Sequence, residues 1–362
     1  MKTIACFVTS HGLGHATRMV AIINEIQTIH PNIRFIIINN LPKWFWDQNL
    51  KKTVSFQQKD YVVDVGLIQF DPFNHDLDTT LEKLNLLLNQ KENFLKLQNL
   101  IKSEGVEHII CDISPIGIRV GEALKITTTL VENFTWDWIY EKYVESHDEF
   151  STYVAELRST YKNTTLRIQA YPFCKHEENA IQVGPIHRKF NKSVQETKYL
   201  LGLENDQQFS TITTGGISAN FPFLSQLRRS ETNFVICGDF QKIKKQGNLI
   251  FLPFHSGIHF PDVIRASQKV IGKVGYGTTM ECWAAKTQLY GIYRDDFRET
   301  QVLRDFISSE NLGREIKNTE FQNGEWIEKF VASPEPVPIK SSFIEGNRKA
   351  ATAILKTCNF NF

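Results

Sequence analysis

The sequence lacks an excess of charge of either sign. Its 362 residues include 41 lysines and arginines against 40 aspartates and glutamates, which gives a formal net charge of +1 at pH 7. A chain with so little net charge has no broad electrostatic field that would attract nucleic acid or an anionic bilayer. We therefore expect no nucleic-acid partner.

Long hydrophobic runs are absent near the N-terminus. The apolar run Thr3–Val8 is six residues long, whereas signal-peptide cores and membrane spans both need longer stretches. The six cysteines are spread singly, with no Cys-x-x-Cys pair, which excludes the usual zinc-finger and redox-dithiol patterns. These absences predict a cytoplasmic protein with no transmembrane segment.

What the sequence does contain is a repeated alternation of short β-branched runs with longer amphipathic segments. In the first half, strands are predicted at Ile4–Val8, Ile33–Ile38, His108–Cys111 and Thr127–Val131, between periodic segments at Ala16–Ile29, Thr80–Lys102 and Ile113–Leu124. In the second half, strands are predicted at Phe209–Thr213, Phe234–Cys237, Leu249–Leu252, Lys269–Ile271 and Gln288–Ile292, with helices at Val194–Leu201 and from Thr278 and Glu299. Such alternation indicates βαβ units on parallel sheets.

The alternation restarts after residues 185–193, which divides the chain. We predict an α/β protein with two doubly wound, Rossmann-like domains that face a central cleft, at residues 1–186 and 194–340. Residues 341–362 contain a further amphipathic helix, which either packs back on the first domain or ends the second. Doubly wound folds bind ligands beyond the carboxyl ends of their strands, so we expect a ligand in the cleft.

A glycine-bearing turn, Ser10–Arg18, follows the first predicted strand. It differs from a dinucleotide-binding fingerprint because Thr17 stands where the third glycine belongs, and because the next strand ends in Asn39-Asn40 instead of an acidic residue. A nicotinamide cofactor is therefore not expected. His15 opens the predicted helix, where a histidine is either a candidate general base or a residue that caps or packs the helix.

Asp112 stands at the end of an apolar strand, directly before Ile113-Ser114-Pro115. An aspartate in this position can cap the helix that follows. Alternatively, its carboxylate can bind one ring nitrogen of His15, which would fix the tautomer and stabilise the imidazolium. Both residues follow strand ends, so the contact is feasible.

Two glycine-rich turns in the second half predict a diphosphate site. They are Thr213–Ser218 and Gly272–Glu281. In the second turn, Thr278 and Thr279 offer hydroxyls at a helix N-terminus, and the carboxylate of Glu281 suits the two hydroxyls of a ribose. The spacing of Thr278 and Glu281 is also that of a capping box.

Two further segments carry candidate binding residues. Asn133–Tyr140 combines four aromatic residues with Asn133 and Asp137. This composition suits a sugar-binding platform, although aromatic clusters also form protein cores. Arg294–Glu299 places charges after a predicted strand, where a solvated helix N-terminus is the alternative explanation.

No metal site is predicted. His255 and His259 are four residues apart but lack the intervening glutamate of a metalloprotease helix. The acidic pair in Asp76-Leu77-Asp78 lies in a polar loop before a helix, where we interpret it as a helix cap.

In this order, the motifs resemble the glycosyltransferase-like N-terminal region of plant L-arabinokinases and its stand-alone bacterial relatives. The resemblance covers about residues 3–330 and rests on His11–Arg18, Asn133–Tyr140, Gly272–Thr278 with Glu281, and Arg294-Asp295 with Phe297, Glu299, Leu303 and Arg304. More distantly, the sequence is similar to GT-B glycosyltransferases that make lipid-linked peptidoglycan precursors or glucosylate small molecules with UDP-sugars.

The resemblance implies a GT-B fold and an inverting, metal-independent glycosyltransferase without a cofactor. It would move a sugar from a nucleotide-diphosphate sugar, with UDP as the expected nucleotide, to a small-molecule, glycan or lipid-linked acceptor. The catalytic residues would be His15 as the base and Asp112 as its orienting partner. The donor-binding residues would be Gly14, Gly215, Gly216, His255, Gly275, Gly277, Thr278, Thr279, Glu281, Asp295 and Glu299, and the acceptor-binding residues His11, Arg18, Asn133, Trp136 and Asp137.

Two departures from the family limit what the resemblance implies. Many relatives present a Gln or Asp-Gln pair to the donor sugar, whereas this chain has Asp295-Asp296, so the donor sugar is not specified. The plant proteins continue into a sugar-kinase domain that does not follow here, so we expect no sugar phosphorylation. A nucleotide-sugar epimerase or hydrolase and a non-catalytic nucleotide-sugar-binding protein are the alternative functions.

Overall fold

The computed structural model describes residues 1–70, 75–216, 221–331 and 338–358. The chain divides into two compact units, each built around its own seven-stranded sheet. The first unit comprises Met1–Ile186, Asp296–Glu299 and Ile344–Phe362, and the second comprises His187–Asp295 and Thr300–Phe343. No helix among the described residues is long and apolar enough to cross a membrane.

The first unit is a parallel sheet with helices in its crossover connections. Its strands are β1 (Lys2–Val8), β2 (Ile33–Ile38), β3 (Ser55–Lys59), β4 (His108–Asp112), β5 (Thr127–Glu132), β6 (Leu166–Ala170) and β7 (Ile181–Val183). Its first helices are α1 (Leu13–Ile29), α2 (Lys43–Asn49), α3 (Leu77–Asn89), α4 (Lys91–Ser103), α5 (Pro115–Leu124), α6 (Trp136–Glu141) and α7 (Phe150–Lys162). The strand order is β3-β2-β1-β4-β5-β6-β7, and all neighbouring strands run parallel.

The central strands of this sheet are apolar because both faces are covered. All five residues of β4 are buried, and in β1 only Lys2 is exposed. Continuous burial of this kind is typical of parallel sheets with helices on both sides. The strand order reverses between β1 and β4, which places the loops β1–α1 and β4–α5 at the switch point where such sheets bind ligands.

The second unit repeats this plan. Its strands are β8 (Phe209–Thr213), β9 (Asn233–Gly238), β10 (Lys244–Gln246), β11 (Leu249–Pro253), β12 (Lys269–Lys273), β13 (Gln288–Ile292) and β14 (Gly313–Glu315). Its helices are α8 (Val194–Leu200), α9 (Leu224–Leu227), α10 (Phe260–Ala266), α11 (Tyr276–Ala285), α12 (Thr300–Ser309), α13 (Asn318–Asn323) and α14 (Trp326–Val331). The order is β10-β11-β9-β8-β12-β13-β14, parallel except for the hairpin of β10 with β11, and its switch point lies between β8 and β12.

Two segments from late in the sequence belong to the first unit. The last helix, α15 (Asn347–Thr357), lies beside α1 and buries Ala350, Ala351 and Ile354. The segment Asp296–Glu299 follows β13 in sequence but is also part of the first unit. The sequence analysis grouped these four residues with the second domain because contacts between distant segments are not visible in a local pattern.

The predicted α/β class with two parallel Rossmann-like sheets is confirmed. The predicted helical stretch Thr80–Lys102 is two helices, because Gln90 leaves the helical conformation with φ of −74° and ψ of 77°. Asp76 caps α3 by accepting a hydrogen bond from the backbone N–H of Thr79, as predicted. Five short strands, β3, β6, β7, β10 and β14, were not predicted. Four of them lie at sheet edges, have three to five residues and carry little apolar pattern, whereas β6 lies inside the sheet but begins with the half-buried Leu166 and Arg167.

Candidate functional site

The loop between β1 and α1 lies at the switch point of the first sheet. Gly12 directly precedes α1 with φ of 81°, a value in the region that glycine adopts without a Cβ clash, and no side chain caps this helix end. His15 lies in the first helical turn and is 8% exposed. His11 lies in the same loop and packs directly against Gly66. A Cβ atom at Gly66 would lie 2.5 Å from His11 Nδ1, so there is no room for a side chain at that position.

His15 is hydrogen-bonded to Asp112, which ends β4 and is fully buried. The distance from His15 Nδ1 to Asp112 Oδ1 is 2.8 Å. Because an ionised carboxylate only accepts hydrogen bonds, Nδ1 carries the proton and Nε2 keeps its lone pair. No described residue hydrogen-bonds to Nε2. The contact expected from the sequence is therefore present, and Ser114 is the residue that caps α5.

Arg18, one turn along α1 from His15, holds the other side of the same carboxylate. Its Nε donates to Asp112 Oδ2 at 2.8 Å and its Nη2 donates to Asp112 Oδ1 at 2.7 Å. Its Nη1 donates to Asn133 Oδ1 at 2.5 Å. Arg18 is only 1% exposed, so the side chain that we predicted to bind the acceptor is instead buried in the support of Asp112.

These partners keep Asp112 ionised. Burial alone would raise the pKa of Asp112, but the charge of Arg18 and the hydrogen bonds from His15 and Arg18 outweigh it and lower this pKa below its ordinary value. A carboxylate that stays charged can stabilise an imidazolium on His15.

The backbone that carries Asp112 is strained. Ile113 has φ of 49°, in the left-handed region that β-branched residues rarely adopt. Tyr161 donates a hydrogen bond to the carbonyl oxygen of Ile113 at 2.8 Å. This turn ends the strand at Asp112 and starts α5 within three residues, which fixes the carboxylate at the rim of the sheet.

Asp64 is a second buried carboxyl group near this pair, and the sequence analysis missed it. Its Oδ2 accepts a hydrogen bond from Trp136 Nε1 at 3.0 Å. Burial raises the pKa of Asp64 to about 6, although hydrogen bonds from Thr9 and Trp136 and the charge of His15 oppose the shift. One signal could have found it: a single carboxylate within the apolar run Val62–Val65.

The aromatic residues of Asn133–Tyr140 are core. Trp136 is 1% exposed, stacks on Tyr140 with ring centroids 5.7 Å apart, and meets His11 edge-on at 5.4 Å. Asp137 is buried and pairs with Arg158 at 3.3 Å. Among the predicted acceptor residues, Trp136, Asp137 and Asn133 are thus occupied by protein partners and support the site from within the first unit.

The two glycine-rich turns of the second unit connect a strand to the segment that follows it, at the carboxyl ends of β8 and β12. Gly215 and Gly216 follow β8 with φ of 70° and 88°, whereas Ile217-Ser218 lie outside the described residues. Gly275 occupies the N-cap position of α11, and Thr278 lies inside the helix. Thr278 and Glu281 therefore do not form a capping box. Gly277, Thr278 and Thr279 lie in the first turn of α11, a helix end that has no side-chain cap and suits an anion. Thr278 is partly exposed there, whereas Thr279 is fully buried and its N–H donates to the carbonyl of Gly275, so the predicted donor contact of Thr279 is not available.

Glu281, in contrast, is paired inside the protein. Arg188 donates to it twice, from Nε to Oε1 at 2.7 Å and from Nη2 to Oε2 at 3.1 Å, and both side chains are buried. Each oxygen of the Glu281 carboxylate can accept one more hydrogen bond. The predicted contact with a ribose would have to use these remaining lone pairs. The sequence analysis missed Arg188 because it stands in the irregular segment before α8.

The other predicted donor residues are spread over both units. His255 is exposed in the second unit, and Asp295 is exposed there and pairs with Arg304 at 2.7 Å. Glu299 is a buried residue of the first unit that accepts a hydrogen bond from Asn133 Nδ2 at 2.6 Å. Gly14 lies in the first turn of α1, where its carbonyl accepts from Thr17 Oγ1 at 2.7 Å.

The described residues contain no group of three or more histidine, cysteine, aspartate or glutamate side chains arranged to hold a metal ion. The two doubly wound units give the chain the GT-B fold found in glycosyltransferases.

Comparisons with known proteins agree with this fold. No family model matches the chain. L-arabinokinase of Arabidopsis thaliana is 23% identical over 358 residues, which are 98% of this chain but 34% of that protein, so the chain spans about a third of its length. A UDP-glucosyltransferase from Polygonum tinctorium that glucosylates indoxyl has a TM-score of 0.62 at 12% identity, over 99% of this chain and 93% of that one. Phytolacca americana UGT2, solved with UDP-2-fluoro-glucose and pterostilbene, has a TM-score of 0.59 at 12% identity, over 99% and 94%.

Proposed function

We propose that the protein is an inverting glycosyltransferase that moves a sugar from a nucleotide-diphosphate sugar to a hydroxyl group of an acceptor. The observation that carries this proposal is the pair of His15 and Asp112, in which Nδ1 is hydrogen-bonded and Nε2 keeps its lone pair at a sheet switch point. The UDP-dependent neighbours support UDP as the nucleotide. The six free cysteines fit the cytoplasmic location expected from the sequence.

In the proposed reaction, Nε2 of His15 takes the proton of the acceptor hydroxyl while that oxygen attacks the anomeric carbon. The bond from this carbon to the diphosphate breaks, and the nucleoside diphosphate leaves with the electron pair. Attack opposite the leaving group inverts the configuration. Asp112 stabilises the imidazolium formed on His15, and the proton transfer contributes about 10²–10⁴-fold to the rate.

The second unit offers the groups that would bind the leaving diphosphate. The first turn of α11 has no side-chain cap and includes the partly exposed Thr278, and a Cβ built on Gly215 would meet no atom within 4 Å. N–H groups at a helix end stabilise developing negative charge. We propose that they do so here without a metal ion.

The test is a His15→Ala variant assayed for nucleoside diphosphate release. Wild type is incubated with UDP-, GDP-, ADP- and dTDP-sugars and a panel of phenol, monosaccharide and polyprenyl phosphate acceptors. We expect acceptor-dependent release with one nucleotide, reduced by at least about 10²-fold in His15→Ala while the thermal shift given by the donor is retained. His176→Ala, an exposed histidine of the first unit, serves as the matched control.

Other results would replace the proposal. Full turnover by His15→Ala would remove its role as the base. Release of free sugar without an acceptor would indicate a hydrolase. A donor-induced thermal shift without turnover, unaffected by His15→Ala, would indicate a nucleotide-sugar-binding protein.

A further inference from the structure

The segment Asp296–Glu299 is anchored in the first unit by the side chains of Phe297 and Arg298. Phe297 is buried against Phe134 at 5.8 Å and stacks on His11 at 6.2 Å. Arg298 lies over the ring of Trp138 at 4.2 Å and pairs with Glu141 at 2.9 Å. The position of Glu299, next along the chain, is therefore set by the packing of its neighbours.

Glu299 controls the orientation of a side-chain amide. Its Oε1 accepts a hydrogen bond from Asn133 Nδ2 at 2.6 Å, while Asn133 Oδ1 accepts one from Arg18 Nη1 at 2.5 Å. An amide has a donor end and an acceptor end, so only one of its two orientations satisfies both neighbours. The carboxylate of Glu299 thus selects the orientation in which Asn133 presents its oxygen to Arg18.

The buried chain of contacts continues to the histidine. Arg18 is held at Nη1 by Asn133 and uses Nε and Nη2 to hold Asp112. Asp112 in turn holds Nδ1 of His15. If Asn133 turned over, its NH₂ group would point at the guanidinium, two donors would meet, and Arg18 would lose one of the partners that fix its plane.

We propose that Glu299 is a positioning residue for His15, acting through Asn133, Arg18 and Asp112. This assignment deepens the proposed function, on which its kinetic part rests, and it replaces the donor-binding role expected for Glu299 from the sequence. The two roles predict different kinetics. Loss of a donor contact lowers donor affinity, whereas loss of a positioning contact lowers kcat and leaves the donor KM unchanged.

The first test does not depend on activity. The proton on His15 Nδ1 is followed by NMR in ¹⁵N-histidine-labelled full-length protein, where its hydrogen bond to Asp112 gives a downfield resonance. We expect Glu299→Ala to lose or broaden this resonance. Glu299→Gln, whose amide oxygen can still accept from Asn133, should retain it. Glu156→Gln, on the surface of α7 in the same unit, is the matched control and should leave it unchanged.

The second test uses the transfer reaction. We expect Glu299→Ala to lower kcat by about 10- to 100-fold with an unchanged donor KM, and Glu299→Gln to recover most of it. An unchanged Nδ1 resonance in a folded Glu299→Ala protein would overturn the positioning role, as would a raised donor KM at unchanged kcat. If the wild-type protein transfers no sugar but the resonance depends on Glu299 as described, the positioning role of Glu299 is confirmed and the proposed function is wrong.

Discussion

The two units hold a buried carboxylate with an arginine in the same way, but they surround it differently. In the first unit, Arg18 binds Asp112 through two N–H groups, and in the second, Arg188 binds Glu281 through two. The carboxylate of Asp112 has a second side-chain partner, His15, whose outer nitrogen keeps its lone pair. The hydrogen bonds of Glu281 among the described residues come from Arg188 alone. An arginine–carboxylate pair is thus a structural contact by itself, and the added histidine offers the nitrogen lone pair that the proposed acid–base role needs.

The largest expected effect comes from removing each arginine. Arg188→Met leaves the buried charge of Glu281 without its partner, which should lower the free energy of unfolding by about 3–5 kcal/mol. Arg18→Met should cost less, because Asp112 keeps its hydrogen bond from His15 Nδ1. Urea denaturation, combined with hydrogen exchange of α11 and β4, measures both losses.

Arg119→Met is the control for this pair of variants. Arg119 forms a partly exposed pair with Glu156 at 3.3 Å, so the change should cost less than about 1 kcal/mol. Equal losses of unfolding free energy for Arg18→Met and Arg188→Met would show that the hydrogen bond from His15 does not distinguish the two sites.

A smaller, pH-dependent effect is expected at Asp64, in the first unit. Its pKa is raised by burial to about 6 from an ordinary value of 3.8, so between these values the folded state binds the proton more tightly than the unfolded state. The stabilisation is complete below about pH 4 and is lost as the pH rises through 6. Asp64→Asn stays neutral and should gain up to roughly 3 kcal/mol over wild type at pH 7, with little gain at pH 4.

Hydrogen exchange in β1 and β4 at several pH values measures this difference for the first unit alone. Asp148→Asn, at an exposed aspartate of the same unit, should show no such dependence. A gain of the same size at pH 4 and pH 7 would mean that Asp64 is not protonated in the folded protein.

The smallest expected effect is common to both units. Lys125 and Lys286 are the C-terminal cap residues that directly follow α5 and α11, and both are in the left-handed conformation, with φ of 58° and 56°. Because glycine adopts this conformation without a Cβ penalty, Lys125→Gly and Lys286→Gly should each raise the free energy of unfolding by about 1 kcal/mol. Thermal denaturation measures the total gain, and hydrogen exchange assigns it to a unit. A loss of stability in either variant would contradict the prediction.

The residues that the sequence predicted well are those whose place follows from topology. His15 follows β1 and Asp112 ends β4, and since parallel neighbours bring their carboxyl ends to one edge, a contact across 97 positions was foreseeable. The pattern could not reveal that Arg18 lies under Asp112, because an arginine on α1 can point to either solvent or the sheet. The direction of the Arg18 side chain depends on the packing around the helix.

The residues that were missed stand in irregular segments. Asp64 lies between β3 and α3, and Arg188 lies before α8, where no periodicity indicates what a side chain contacts. The pairing of Arg188 with Glu281 joins positions 93 residues apart through a loop. Glu299 was singled out for its charge, but its partner Asn133 is defined only by the packing of Phe297 in the first unit.

The late position of α15 in the sequence has a consequence for biosynthesis. This helix lies beside α1, the helix that carries His15 and Arg18, and buries apolar residues there. Domains at the N-terminus of a chain commonly fold while the ribosome is still adding residues. Here the first unit lacks one of its helices until residue 357 has left the exit tunnel, so the surface of α1 that α15 covers stays unprotected while the residues between the two helices are synthesised.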